Sequence, residues 1–413
     1  MTDPSEKPRA ALQAGGAGLR PAGAQGSVGA DGAEKEGARG GTMGSPTQGR
    51  VVQRAAADAG LIRLGLPDVG AEELAAVAAV LESGQLTMGP LVDELERLIA
   101  EACEVPHTVA VSSGTAALHL AVLALGIGPG DEVIVPAYTF PATANVVALV
   151  GARPVLVDVD PATMNLDLAQ LPAALTPRTK AVLAVHLFGR PLDWGALESA
   201  VPDGVVLLED AAGALGARHR GRACGSFGAA GCLSFHPRKT VTTGEGGAVT
   251  TADAGLAAAI RSGRHHGIET RDGFDIAVPG TNYRLSDILC AVGIPQFRRL
   301  PELLAARRRA AAGYTERLAD AVLTPSADPG DDHGWQAYVV QLDRRDEALA
   351  GLRAQGIEAQ IGTYALHHLS AYRDQGPFPG ADAAFARALA LPFHTLLSDG
   401  DLDRVAEALR SYA

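Results

Sequence analysis

Between Thr108 and Asp210 five short β-rich runs, TVAVS, EVIVP, PVLVDV, AVLAV and VVLLED, alternate with helical segments that begin at Thr115 and Pro141 and lie near Leu168 and Leu192. This rhythm implies parallel strands joined by right-handed crossovers, since a helix between two strands returns the chain to the same end of the sheet. Ligands then bind in the crevice at the carboxyl ends of the strands, so residues just after each run are the first candidates for function. Beyond about residue 285 the pattern changes to a long Arg- and Ala-rich helical stretch, then the β-like run WQAYVVQL, then amphipathic helices. The expectation is an α/β fold with a large, mostly parallel domain over 56–295 and a smaller α+β domain over 296–413, the boundary lying near Pro295 to Leu304.

Upstream, AEELAAVAAVLES (71–83) and PLVDELERLIAEA (90–102) carry apolar residues at helical spacing, with Pro90 suited to a first helical turn. Residues 1–55 are rich in Gly and Ala, lack hydrophobic periodicity and are read as a disordered extension, with Met43 inside it as an alternative start. At 413 residues and 47% hydrophobic, the chain is long enough for two domains. A net charge of -12 without a long basic block argues against nucleic acid or an anionic membrane as partner. Four cysteines without CxxC spacing suggest neither a disulfide framework nor a zinc site. The longest apolar run, Ala116 to Ile127, contains His119 and is too short to span a bilayer. A cytoplasmic protein with a small-molecule partner is expected.

Outside the first fifty residues there are only two lysines, Lys180 and Lys239, whereas arginine is plentiful. An amine can lose its proton and attack a carbonyl to form an imine; a guanidinium cannot. Lys239 lies in GCLSFHPRKTVTTGEGG (231–247), close after His236 and Arg238, which would disfavour its protonated form if they are charged, as would burial. Ser112-Ser113-Gly114-Thr115 forms a Gly-containing turn that opens a helix, where free backbone N–H groups suit a phosphate, although Ser and Thr also simply cap helices. Ser234, five residues before Lys239, lies in a strand and could reach the same phosphate. Asp210 ends a buried strand and can hold a proton on a heterocyclic nitrogen; its ordinary alternative is a helix cap. Tyr138-Thr139-Phe140 follows another strand end and offers an aromatic for a flat ring or for core packing.

A phosphate cradle, a stacking aromatic, an acid for a ring nitrogen and an imine-forming lysine together describe a site for pyridoxal 5′-phosphate (PLP). The ordered motifs SSGTAALHLAVLALGIGPGDEVIVPAYTF, GARPVLVDVD, EDAAGALGA, SFHPRKTVTTGEGGAV, GTNYRLSDILCAVG and ALPFH resemble the DegT/StrS family of PLP-dependent sugar aminotransferases, from about Leu61 to the C-terminus. The resemblance implies the aspartate-aminotransferase type of fold, as a homodimer with sites at the interface. It also implies that Lys239 forms the internal aldimine and shuttles the proton, and that Asp210 pairs with the pyridine nitrogen. Gly114, Thr115, Ala116 and Ser234 would hold the phosphate, Phe140 would stack on the ring, and Asn282 would reach the phosphate in the neighbouring subunit.

Two positions depart from the family pattern. Gly213 stands where the family commonly has Gln or His near the cofactor's phenolic oxygen, and TYALH (363–367) replaces a Tyr-Pro-x-Pro-Leu-His pattern. The activity implied is transfer of an amino group from glutamate or glutamine to a nucleotide-linked keto-sugar, with a cyclitol ketone as the variant. A sugar dehydratase, in which histidine would replace the lysine, and a non-catalytic PLP-binding relative are the competing readings.

Overall fold

The computed structural model describes residues 60–268, 275, 276 and 278–413; the extension expected over 1–55 lies outside them. The large sheet has seven strands in the order His107–Val111, Gly247–Thr251, Ala230–Ser234, Val206–Asp210, Thr179–Val185, Glu132–Pro136 and Arg153–Val157. The last five pair in parallel; four of them are runs of the predicted alternation and Ala230–Ser234 is the fifth. His107–Val111 instead pairs antiparallel with Gly247–Thr251, which is itself antiparallel to Ala230–Ser234. Two reversals restore the direction, so the first strand still points its carboxyl end to the same edge as the parallel strands.

Successive residues of each strand face opposite sides. Val109 and Val111 enter one core cluster and Ala110 the other; Val133 and Val135 divide from Ile134 in the same way. Both faces are covered, which is why these strands read as continuous apolar runs rather than alternating ones. Gly114–Ala124, Ala142–Leu149 and Ala254–Gly263 cover one face, and Pro90–Cys103 and Asp287–Arg298 cover the other.

A third cluster surrounds a three-stranded antiparallel sheet in the order Tyr338–Gln341, Ala388–Leu391, Gln360–Ile361. It is backed by the helices Leu300–Leu318, Arg345–Ala354 and Asp399–Arg410, and Ile62 joins it from the N-terminal side. The long helical stretch read after residue 285 is two helices, broken at Arg299 (φ -106°, ψ 19°). Arg299 is held there by Asp68 at 2.9 Å and Glu73 at 2.7 Å. No helix of the described residues is long and apolar enough to cross a membrane.

Candidate active site

Sheet register assembles the phosphate cradle. Val111 pairs with Gly247 and Gly247 with Ser234, so the end of the first strand and Ser234 stand in one row across the sheet. The helix Gly114–Ala124 starts directly beyond that row, capped by the Ser113 hydroxyl, which accepts the Ala116 N–H at 3.0 Å. Of the three amides expected to serve a phosphate, that of Ala116 is therefore engaged by the cap. Those of Gly114 and Thr115 lie in the first turn, where no intrahelical carbonyl reaches them.

Gly114 is needed for closeness: a β-carbon there would lie 2.8 Å from the Ser234 β-carbon and 3.2 Å from its hydroxyl oxygen. The helix N-terminus and the Ser234 hydroxyl thus converge on one point, which suits a phosphate by both dipole and hydrogen bonding. Gly114→Ala should push these two walls apart, costing about 1–3 kcal/mol of stability. Thermal unfolding of the apoprotein and a PLP titration check this; unchanged Tm and unchanged PLP affinity would show that the two elements do not close on a ligand.

Asp210 sits on the strand next to that of Ser234. It pairs with Cys232, two residues before Ser234, so its side chain and that of Ser234 emerge on the same face. It is 5% exposed. One carboxylate oxygen accepts the Thr143 hydroxyl at 2.9 Å and the other accepts the Ala212 N–H at 3.1 Å. Burial raises its pKa, against the opposing pull of these two hydrogen bonds and of the Lys239 charge. Among the described residues no cationic nitrogen lies within ion-pair distance of it. A buried carboxylate of this kind is completed by a protonated ring nitrogen, so Asp210 fits the pyridinium of PLP.

The neighbouring Glu209 serves the fold. Its oxygens accept the Gly225 and Phe227 N–H groups at 2.6 and 2.9 Å, and His186 Nε2 at 2.9 Å. His186 Nδ1 accepts the Leu192 N–H at 2.9 Å, which fixes the ring as the Nε2–H tautomer that donates to Glu209.

Lys239 is carried on the connection between Ala230–Ser234 and Gly247–Thr251. That loop is closed at its base, where the Phe235 N–H donates to the Gly246 carbonyl at 2.8 Å and the Thr243 N–H to the Phe235 carbonyl at 3.0 Å. Gln296 grips it from the helix Asp287–Arg298 through two bonds to the Thr242 backbone, at 3.0 and 2.7 Å. Phe235, fully buried, meets Phe297 edge-on at 5.6 Å. The lysine keeps part of its surface toward solvent. Its pKa is nonetheless lowered to about 8, first by desolvation of the amine and then by Arg238 and Arg307, with Asp210 acting in the opposite direction.

Of the two neighbours that would act on Lys239 if charged, only Arg238 contributes. Burial lowers the pKa of His236, and its Nδ1 accepts the Arg238 N–H at 3.2 Å, as a neutral ring would.

Phe140 follows the short strand Tyr138–Thr139, which pairs with Tyr364–Ala365. Its side chain is 61% exposed and touches Tyr364 edge-on at 6.4 Å, so it is not core packing. It stays close to the acid, because its carbonyl accepts the Thr143 N–H at 3.2 Å and Thr143 holds Asp210. The divergent TYALH loop is hung on the core side of this aromatic. The Tyr138 hydroxyl accepts the Thr363 N–H at 3.0 Å, and His367 and His368 bond Asp382 at 2.9 and 2.7 Å.

Asn282 is exposed, in a segment bridged to His265, and the next residue, Tyr283, accepts the Ser112 N–H at 2.8 Å. The space beside Gly213 is filled by Gln336: a β-carbon on the glycine would lie 3.5 Å from the Gln336 Oε1 atom. Thr143, Gln336 and Arg307 are the site-region residues that the motif reading passed over. For Arg307 a signal existed, since it lies in helical phase with Leu303, Ala311, Tyr314 and Leu318 on the buried face of its helix.

Residues 67–410 match the DegT/DnrJ/EryC1/StrS aminotransferase family. GDP-perosamine synthase of Caulobacter vibrioides is 41% identical over 334 residues, covering 78% of this chain and 90% of that protein. DesI, solved in the presence of its TDP-sugar product, is 38% identical with a TM-score of 0.80, covering 85% of this chain and 93% of DesI. A Streptococcus pneumoniae protein assigned as a sugar aminotransferase, solved in its PLP form, is 30% identical with a TM-score of 0.82, covering 85% and 98% of the two chains. The chain therefore belongs to the DegT/DnrJ/EryC1/StrS aminotransferase family and shares the aspartate-aminotransferase type of fold.

Proposed function

We propose that this aminotransferase uses PLP to move an amino group from glutamate or glutamine to a nucleotide-linked keto-sugar in the cytoplasm. The observation that carries the reading is Lys239: an amine of lowered pKa at the carboxyl edge of the sheet, its charge opposed to that of the buried Asp210. Supporting it, one relative is named for a GDP-linked sugar and another was solved with a TDP-sugar product. In this reading residues 56–295 form the cofactor-binding domain and 296–413 the smaller one.

Gly114, Thr115 and Ser234 would hold the phosphate, with Ala116 supporting the same turn; Asp210 would hold the ring nitrogen, Phe140 the ring face, and Lys239 the carbonyl carbon. PLP bound here would act as the electron sink that makes the carbon beside the amine acidic. Asp210, as the ionised partner, keeps the proton on the ring nitrogen. Lys239, with a pKa near the working pH, exists as both amine and ammonium, so Nζ can take a proton from the substrate carbon and return it. Incubation with a panel of nucleotide-linked keto-sugars and either amino donor, read by mass spectrometry, tests the substrate class. Amination of a free cyclitol ketone alone would reject it.

The homodimer with shared sites belongs to the same proposal and rests on Asn282, whose exposed position leaves its amide available to a second subunit. The link from Tyr283 to Ser112 holds the residue beside its own chain's cradle as well, so the assignment to the partner needs a direct test. A charge-assisted hydrogen bond to phosphate contributes about 1.5–3 kcal/mol, so Asn282→Ala should weaken PLP binding about tenfold or more. Mixing Asn282→Ala subunits with Lys239→Ala subunits gives a heterodimer in which one site carries both defects and the other neither. Recovered activity is expected. Its absence, with subunit exchange verified and each parent impaired, would reject the shared site.

A further inference from the structure

Arg307, on the helix Leu300–Leu318, is 4% exposed. Its guanidinium donates to the carbonyls of Trp335 at 3.1 Å, Gln336 at 3.2 Å and Lys239 at 3.3 Å, and lies over the Phe393 ring at 5.5 Å. Nε is buried without a hydrogen-bond partner. Among the described residues no carboxylate is within ion-pair distance of this cation; Asp68, whose charge helps retain the Arg307 proton, is itself bonded to Arg299 and Thr395. A buried positive charge held only by neutral carbonyls is costly. A clasp for three carbonyls could be built from neutral donors, so the charge itself calls for a role.

We propose that Arg307 is a positioning residue for Lys239, fixing the lysine's backbone to the turn at Trp335 and Gln336 and setting a buried positive charge against its carbonyl, from where the field reaches the amine. The fixing follows from the fork geometry, in which one guanidinium joins two segments far apart in sequence. It is needed because Trp335 has φ of 49°, a left-handed conformation that a bulky residue keeps only when its surroundings hold it there.

The charge acts on the proton of Lys239. The groups that bear on this amine are Asp210 from the strand Val206–Asp210, which favours the ammonium, and Arg238 from its own loop and Arg307 from the helix, which disfavour it. His236, on the same loop, is neutral through burial. Arg238 is exposed and screened by water, whereas Arg307 is not. Arg307 thus offsets part of the pull of Asp210 and leaves Lys239 free to attack a carbonyl. This inference rests on the reading of Lys239 as the imine-forming residue.

The test uses the full chain freed of PLP, as wild type, Arg307→Gln and Arg307→Lys, with folding verified by circular dichroism. Each is mixed with PLP across a pH series, quenched with borohydride, and the Lys239 peptide is scored by mass. In the wild type, capture should rise with a midpoint near 8. Arg307→Gln should move that midpoint upward by about half a unit, because the opposing charge is gone. Arg307→Lys removes the fork, and a buried ammonium without a carboxylate partner sheds its proton far more readily than a guanidinium, so only its rate is read: capture should slow several-fold.

A Gln variant with an unmoved midpoint reduces Arg307 to a structural clamp and overturns the proposal. Capture at an unchanged rate in the Lys variant rejects the positioning. Should the Gln variant fail to fold, Arg307→Met, which also lacks the charge, replaces it with the same readout. If the wild-type Lys239 peptide is never modified, the imine assignment itself fails, whatever the variants do.

Discussion

Lys239→Ala is expected to abolish covalent attachment of PLP and to lower transamination by at least about 10³-fold, because the one residue supplies both the nucleophile and the proton carrier. The fold should survive. The loop that carries Lys239 is held by the Phe235 to Gly246 and Thr243 to Phe235 backbone bonds, by Gln296, and by the buried Phe235 ring, none of which uses the lysine side chain. The amine is also a burden on the apoprotein, since its main electrostatic effect is the desolvation that lowers its pKa. Removing it should leave Tm within a few degrees of wild type.

Lys239→Arg should fail as completely, because a guanidinium beside Arg238 and Arg307 neither loses its proton nor forms an imine. Borohydride reduction followed by peptide mass mapping gives the covalent readout, and a coupled assay with amino donor gives turnover. Either variant working at close to the wild-type rate would show that Lys239 is not the attacking amine.

The parts of this site that could be read from the sequence are those where one residue type has a chemical monopoly or where local pattern fixes direction. A lysine that is one of only two beyond residue 50 of an arginine-rich chain, an acid at the end of VVLLED, and a Gly-containing turn opening a helix each announce a role within a few residues. The fold was legible for the same reason, since strand and helix periodicity are local. What escaped depends on contacts between distant segments. The antiparallel insertion of Gly247–Thr251 between two strands of common direction leaves no mark on local periodicity.

Thr143 reaches Asp210, and Gln336 fills the space beside Gly213, only because the tertiary fold brings them together. Arg307 was within reach and was hidden by its composition. It opens an Arg-Arg-Arg run whose other members, Arg308 and Arg309, face solvent, and only helical phase separates the buried one from the rest. For His236 the sequence leaves the charge open, and burial together with the bond from the Arg238 N–H makes the neutral ring the favoured form.

Asp210→Asn separates binding from chemistry. The substitution keeps the shape of the side chain, and both existing hydrogen bonds have a solution: the amide oxygen can accept from the Ala212 N–H while its NH₂ group turns to the Thr143 hydroxyl, which can also accept. The apoprotein should therefore fold. It should even gain stability at neutral pH, because the Asp210 pKa is raised in the folded state and the ionised carboxylate is the form that burial penalises. That advantage over wild type should be full above the folded-state pKa and shrink as pH falls through it toward the ordinary value of 3.8, where the wild-type carboxyl is also neutral.

With PLP present the order reverses. An amide cannot balance a charged ring nitrogen, so the ring loses its proton and with it most of its power to accept electrons. Turnover should fall by about 10²–10³-fold, the scale of removing one preorganised electrostatic contact from a reacting centre, with a smaller effect on PLP affinity because the phosphate cradle and Lys239 remain. Unfolding of the apoproteins across a pH series, paired with single-turnover kinetics of the PLP-loaded proteins, reads both arms. Full activity in Asp210→Asn would remove the residue from the mechanism. An apoprotein that is less stable than wild type at neutral pH would show instead that the carboxylate is an anchor of the fold.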